Sequence, residues 1–214
     1  MTMNNFNSLI IGMGNIGYKY DIGLNSSYKM THLSSQKSIK KINKIYCLDN
    51  KKFKLQRSKK ISKLVGNIEI IKKLKNSNIG LVTISTPTKT HFEIVNKVLF
   101  YLSPKVILLE KPGTKNSSNF LRILKKCNSK GVTLFCNYYR NFDFFFKKIL
   151  RYIQKGPCDI IIKYSDNIYV NLPHFINYLN FFLKGKYKIS ILKIKKNKYK
   201  KTNNDIMLEF KKCK

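Results

Sequence analysis

The residues whose spacing carries chemistry come first in the chain. Gly12-Met13-Gly14-Asn15-Ile16-Gly17 is G-x-G-x-x-G and follows the short apolar run Asn7–Ile11. Between a strand and a helix, each glycine of such a turn has its own task. The first permits the tight turn, the second lets backbone approach a pyrophosphate, and the third allows close helix–strand packing. The phosphate would rest on the helix N-terminus, where N–H groups and the dipole favour an anion, with Asn15 and Ile16 in the same cradle. The alternative is a glycine turn that holds no ligand. A dinucleotide site also needs an acid at the end of the second strand to hold ribose hydroxyls. Asp49 stands there, after Lys44–Leu48, but 32 residues past Gly17, where about 20 is usual. The segment Tyr20–Ser35 reads as an insertion that accounts for the excess. Asp49 would repel a 2′-phosphate and so favours NAD, while Lys51 and Lys52 could neutralise one and keep NADP open. The alternative for Asp49 is a plain turn residue.

These residues need a scaffold, and the pattern around them supplies one. Asn7–Ile11, Lys44–Leu48, Ile79–Ser85, Lys105–Leu109 and Val132–Cys136 are short apolar runs that read as buried strands. Ile68–Leu74 is amphipathic. His91–Leu102 carries Phe92, Val95, Val98, Leu99 and Leu102 at helical spacing, and Asn116–Asn128 is a helix with capping residues at its start. The lysine-rich Lys51–Lys63 is read as a helix and loop. Strands alternating with helices argue for an α/β fold, an open parallel sheet covered on both faces. After residue 140 the character changes. Phe142–Gln154 is an aromatic-rich helix, Asp159–Tyr164 a strand and Leu172–Leu183 a helix. Ile189–Ile194 and Ile206–Phe210 are the apolar runs of the tail. The expected division is residues 1–140 and 141–214.

Composition narrows the function classes. The chain has 43 Lys plus Arg against 10 Asp plus Glu, a formal charge of +33. Only Arg57, Arg122, Arg140 and Arg151 are arginine, and the chain is also heavy in Asn, Ile, Phe and Tyr. All these residue types except arginine have AT-rich codons, so coding bias explains most of the charge. Nucleic-acid readout favours the bidentate arginine, which is scarce. A charge-driven polyanion binder stays as a separate reading, recognised by collapse of binding with salt. No apolar run reaches the 18 or so residues of a membrane span, and Met1–Ser8 lacks the basic region of a signal peptide. Five scattered cysteines without a CxxC pair argue against a disulfide framework or zinc and for a reducing, cytoplasmic setting. There is no P-loop, nucleophile elbow or metal cluster. His32, inside the insertion, is read as a surface residue.

Three further segments point to a family. Val82–His91 reads VTISTPTKTH, Leu109–Pro112 reads LEKP directly after a strand, and Asn137–Asp143 reads NYYRNFD. Together with the glycine motif, residues 7–145 resemble the Gfo/Idh/MocA oxidoreductases, the family of glucose–fructose oxidoreductase and inositol dehydrogenase. The resemblance implies a Rossmann-type doubly wound parallel sheet followed by an α+β substrate domain. It implies hydride transfer between a nicotinamide cofactor and a secondary alcohol of a sugar, nucleotide sugar or cyclitol. By the same resemblance, Ser85, Thr86, Pro87 and His91 lie beside the cofactor. Glu110 and Lys111 match the acid and lysine at its nicotinamide end, with Lys111 touching the reacting hydroxyl. Tyr138, Tyr139 and Arg140 match a stretch lining the cleft, where Arg140 could pair with a substrate anion.

The second domain departs from the family pattern. His174, in Asn171-Leu172-Pro173-His174, matches the catalytic histidine, a general acid or base. Val170 stands four residues earlier, where the family carries an acid, so Asn171 is left as the orienting group. Asparagine before the histidine resembles members of surface-polysaccharide sugar pathways. Family members are commonly far longer, and this chain ends 40 residues after His174. The short second domain fits a natural short form completed by a second copy, a truncated product, or a catalytically impaired dinucleotide-binding protein with a sensor or subunit role. The expected partners are a small sugar-type substrate and a second copy of the chain, with no specific nucleic acid and no membrane.

Overall fold

The computed structural model describes residues 5–23, 29–55 and 58–142, together with residues 144, 148, 173–174, 176–177, 180, 187–196 and 204–212. The chain divides into two compact units, Met1–Asn137 and Tyr138–Lys214.

The first unit is built on six parallel strands: β1 (Phe6–Ile11), β2 (Ile42–Asp49), β3 (Ile61–Val65), β4 (Ile79–Ile84), β5 (Val106–Leu109) and β6 (Thr133–Cys136). Their order is β3-β2-β1-β4-β5-β6, the doubly wound order with its switch point between β1 and β4. The central strands are buried on both faces, which is why they read as mostly apolar runs without alternation. Leu9, Ile11, Leu48, Val82 and Ile84 face one side with Val95, Val98, Leu99, Ile123 and Cys127. Ile10, Met13, Ile45 and Cys47 face the other with Leu33 and Phe53.

The first face is covered by α2 (Thr88–Tyr101) and α3 (Ser117–Ser129). The side chain of Asn116 caps α3 by accepting the Asn119 N–H at 2.9 Å. Among the described residues, the second face carries one α-helix of six residues, α1 (His32–Lys37). Residues Ile68–Leu74 form a 3-10 helix that buries Ile71 and Leu74, three positions apart as that helix requires.

One expected element is replaced. Lys51–Lys63 contains no helix among its described residues, and its end joins β3, paired with β2 from Ile45↔Ile61 to Asp49↔Val65. Phe53 and Leu55, two residues apart, both pack on the α1 face, so the spacing belongs to extended chain.

In the second unit, Tyr139–Phe142 is a single 3-10 turn. Strands β7 (Tyr187–Lys196) and β8 (Asn204–Lys212) pair antiparallel around the two tail runs, each strand longer than its run. The described residues of Leu172–Leu183 are helical. The strand expected at Asp159–Tyr164 and most of the helix at Phe142–Gln154 lie outside the described residues.

Candidate functional site

The carboxyl edge of the sheet is laced strand to strand. The residue after each strand donates its N–H to the last residues of a neighbour: Gly12 to Leu48 O at 2.8 Å, Ser85 to Ile11 O at 2.8 Å, Glu110 to Ile84 O at 2.9 Å and Asn137 to Leu109 O at 2.7 Å. Asp49, Gly12, Ser85, Glu110 and Asn137 therefore form a row in sheet order. At about 4.8 Å per strand the row is about 19 Å long. Ligands of open α/β sheets bind in this crevice at the switch point, one mononucleotide on each side of it.

The three glycines differ physically. Gly12 has φ +98°, and a Cβ there would lie 2.7 Å from Ser85 C and 2.8 Å from Thr86 N. At Gly17 a Cβ would lie 2.3 Å from the Gly12 carbonyl oxygen. Gly12 and Gly17 are thus closed against backbone. Gly14 is open, with nothing within 4 Å of where its Cβ would be. The space a side chain would fill is left at the one glycine where a pyrophosphate must approach, so the turn fits the group its motif implies.

The helix expected after Gly17 is reduced to a turn. Tyr18 N–H bonds Gly14 O at 3.0 Å, closing one helical turn, and a 3-10 turn follows at Lys19–Asp21. The chain then returns at α1, where His32 N–H takes Ile16 O at 3.0 Å and Leu33 N–H takes Gly17 O at 3.1 Å. An unbroken helix would use residues 20 and 21 for those bonds. The chain therefore makes a twelve-residue excursion and rejoins its own helix in register. Removing those twelve from the 32 residues between Gly17 and Asp49 leaves 20, the ordinary spacing. Asp21 fastens the excursion by accepting the N–H of Met30 at 3.0 Å, the N–H of Thr31 at 3.1 Å and the Thr31 hydroxyl. Thr31 then caps α1 by accepting the Ser34 N–H. A cavity of about 520 Å³ opens beside the excursion, lined by Tyr18, Asp21, Ser34, Lys37 and Lys54 among others. None of the sequence-derived cofactor residues lines it.

Asp49 lies against the glycine turn. Its Oδ2 accepts the Met13 N–H at 2.7 Å and its Oδ1 accepts the Lys51 N–H at 2.9 Å. The Ser85 hydroxyl donates to Gly12 O at 2.8 Å, tying the end of β4 to the same turn. Thr86 and Pro87 lead into α2, where Thr90 Oγ1 lies 2.9 Å from Thr86 Oγ1. His91 is fully buried and belongs to α2 rather than starting it. Its Nε2 is 2.7 Å from Thr86 O and its Nδ1 is 3.1 Å from Gly113 O, so it staples the loop after β4 to the loop after β5.

His32 is the clearest departure from expectation. It is buried, not a surface residue, and its Nε2 is 2.8 Å from Glu110 Oε1. The Asn137 side-chain amide donates to the same oxygen at 2.6 Å, and the Lys111 backbone N–H also bonds the carboxylate. Burial alone would push the Glu110 carboxyl up. The His32 and Asn137 hydrogen bonds, with the attraction of His32 and the Lys111 N–H, outweigh it and hold the carboxyl below its usual value. His32 did not stand out by spacing, and Asn137 opened the segment Asn137–Asp143 without a role of its own. The signal for His32 was Thr31 before it, an N-cap placing the histidine in the first turn of the resumed helix.

In the second unit, His174 is buried with the edges of Tyr138 and Tyr139 around it, ring centroids at 5.8 and 5.1 Å. Asn177 Nδ2 donates to Asn141 Oδ1 at 2.9 Å. Arg140 sits in the 3-10 turn Tyr139–Phe142. Asn171 and Val170 lie outside the described residues. No group of three or more His, Cys, Asp or Glu able to hold a metal occurs among the described residues. No helix among them is long and apolar enough to cross a membrane.

Residues 6–138 match the family model described as "Oxidoreductase family, NAD-binding Rossmann fold". The chain belongs to this Gfo/Idh/MocA family, and NAD is the cofactor that defines its fold. An uncharacterised oxidoreductase of Schizosaccharomyces pombe is 30% identical over 95 residues, covering 44% of this chain and 25% of that protein. An oxidoreductase of Bacillus cereus superposes with a TM-score of 0.67 at 18% identity, over 94% of this chain and 59% of that one. The scyllo-inositol dehydrogenase of Lactobacillus casei superposes at 0.61 with 12% identity, over 88% of this chain and 58% of that one. At such identities the structural likeness bears on the fold. The chain spans a quarter of the yeast relative and less than two thirds of either structure.

Proposed function

We propose that this chain binds NAD along the carboxyl edge of its sheet and serves an oxidoreductase that interconverts a secondary alcohol and a ketone. The substrate class is a sugar, nucleotide sugar or cyclitol. One observation carries the reading: Gly14 is open between two glycines closed against backbone, with the Asp49 carboxylate beside the same turn. Gly12, Gly14, Asn15, Ile16 and Gly17 hold the pyrophosphate, and Asp49 takes the ribose hydroxyls of the adenosine half. The loop Ser85–Thr86–Pro87, stapled by His91, borders the cofactor, and Glu110 and Lys111 face its other half. The nicotinamide supplies the hydride acceptor or donor when bound.

The residues of the chain supply the rest. Lys111 places a positive charge or a proton at the reacting oxygen, where negative charge develops as the carbonyl is reduced. His174 acts as general acid or base, with Asn171 orienting its ring and Arg140 pairing with a substrate anion. The likeness to an inositol dehydrogenase puts cyclitols first among substrates to test, ahead of surface-polysaccharide sugars. A cytoplasmic setting fits this chemistry. A second copy of the chain would extend the β7–β8 sheet.

The test is calorimetric titration with NADH and NADPH at physiological salt. Saturable NADH binding weakened by Asp49→Ala and by Gly14→Ala supports the reading. Binding that both variants leave intact, or that vanishes with salt alone, refutes it and favours charge-driven adsorption. NADPH binding as tight as NADH would assign Lys51 and Lys52 to a 2′-phosphate.

A further inference from the structure

We propose that His32 is a positioning residue that couples the pyrophosphate end of the cofactor site to its nicotinamide end. The inference rests on the cofactor reading above and goes beyond it. His32 faces both ends at once. Its backbone N–H holds Ile16 O, inside the glycine turn, at 3.0 Å. Its side chain reaches across the sheet to Glu110 Oε1 at 2.8 Å. Ile16 lies after β1 and Glu110 after β5, on opposite sides of the switch point between β1 and β4. If the Asp49 side holds the adenosine ribose, the ends of β4, β5 and β6 are left for the other mononucleotide.

Glu110 is the centre of the arrangement. Its carboxylate takes His32 Nε2–H, the Asn137 amide and the Lys111 backbone N–H. Three donors fix the carboxylate, and through the last of them it fixes the peptide that carries the Lys111 side chain. A carboxylate can only accept, so the proton on the facing nitrogen belongs to His32 Nε2. The histidine is delivered by the excursion: Asp21 closes it, Thr31 caps the resumed helix, and His32 is the first helical residue. The excursion thus sets the position of a group next to the second half of the site.

Side-chain variants of His32 keep the backbone bond to Ile16, so they separate the two ends. The experiment titrates the full-length chain with NADH and with ADP-ribose, which lacks the nicotinamide, and records a thermal melt of each variant. His32→Ala removes the donor. His32→Gln places an amide nitrogen near the position of Nε2 and can restore it. The expected result is NADH binding weakened about tenfold by His32→Ala, as Glu110 and the Lys111 peptide lose their fixed position beside the nicotinamide half. ADP-ribose binding stays within about twofold, and His32→Gln recovers most of the NADH loss. Equal weakening of both ligands overturns the proposal, as does NADH binding unchanged in His32→Ala. If His32→Ala does not melt cooperatively, His32→Asn replaces it, since its shorter amide stops short of Glu110. Wild-type chain that binds neither ligand refutes the cofactor reading and this inference with it. Wild-type binding with no NADH-specific loss refutes this inference alone.

Discussion

Alanine placed in turn at the three glycines of the first turn separates folding from binding. At Gly12 the residue must adopt φ +98°, which costs an L-residue about 1–2 kcal/mol. Its Cβ would also meet Ser85 C at 2.7 Å, backbone that cannot rotate away, and forced overpacking of this kind adds about 1–3 kcal/mol. Gly12→Ala is therefore expected to lose about 2–5 kcal/mol. At about 4 °C per kcal/mol for a domain of this size, that lowers the melting midpoint by about 8–20 °C. Gly17→Ala lacks the φ cost, but its Cβ sits 2.3 Å from Gly12 O, so about 1–3 kcal/mol is expected. Gly14→Ala meets nothing within 4 Å, and its stability should stay within about 0.5 kcal/mol of the parent. Its methyl group would occupy the open space proposed for the pyrophosphate. Losing one N–H contact to a charged oxygen, about 1.5–3 kcal/mol, weakens NADH binding by about tenfold or more. Thermal melts and NADH titration of the three variants give the answer. A Gly14→Ala chain that melts like Gly12→Ala, or binds NADH like the parent, would refute the reasoning.

Four further outcomes are expected. Asp49→Asn should narrow the preference for NADH over NADPH by about tenfold, read by paired titrations, because the carboxylate that repels a 2′-phosphate is gone. Glu110 is held below its ordinary value of 4.5, so it stabilises the fold fully above about pH 4.5, and that contribution fades as pH falls through the lower folded value. Denaturant unfolding between pH 6 and 3 should accordingly fall less steeply in Glu110→Gln. Burial pushes the Cys47 thiol up to about 12, so mass spectrometry should find it unlabelled by iodoacetamide at pH 8 in the folded chain and labelled in denaturant. Lys111→Met should lower any sugar- or cyclitol-dependent NADH formation by about 100-fold or more, followed by absorbance.

The sheet was legible because its strands are buried on both faces. Asn7–Ile11, Ile79–Ser85 and Lys105–Leu109 are mostly apolar without alternation, and each leads to a residue of the edge row: Gly12, Ser85, Glu110. The glycine motif and Asp49 were legible for the same reason, since both sit where a strand stops. Strand β3 was not. Its five residues are half-buried or exposed at the sheet edge, and lysines around Phe53 and Leu55 masked a two-residue spacing. The split helix was hidden because its continuity is carried by backbone bonds between Ile16 and His32 and between Gly17 and Leu33, which no periodicity records. His32 was misplaced on the surface because its partner Glu110 is 78 positions away. The second domain offered a histidine and two apolar runs, and the sheet of β7 and β8 follows those runs closely.

The excursion rejoins its helix in register whatever its own length, so its residue count is decoupled from the helix phase. A segment added inside a helix would normally rotate everything after it by 100° per residue. Here the added chain leaves and returns at neighbouring carbonyls, and lengthening it costs only closure entropy, about 0.6 kcal/mol per doubling. The position between Tyr18 and Thr31 is therefore a graft point. Foreign sequence inserted there, outside the Asp21–Thr31 clasp, would leave the strand–turn–helix unit and the position of His32 intact.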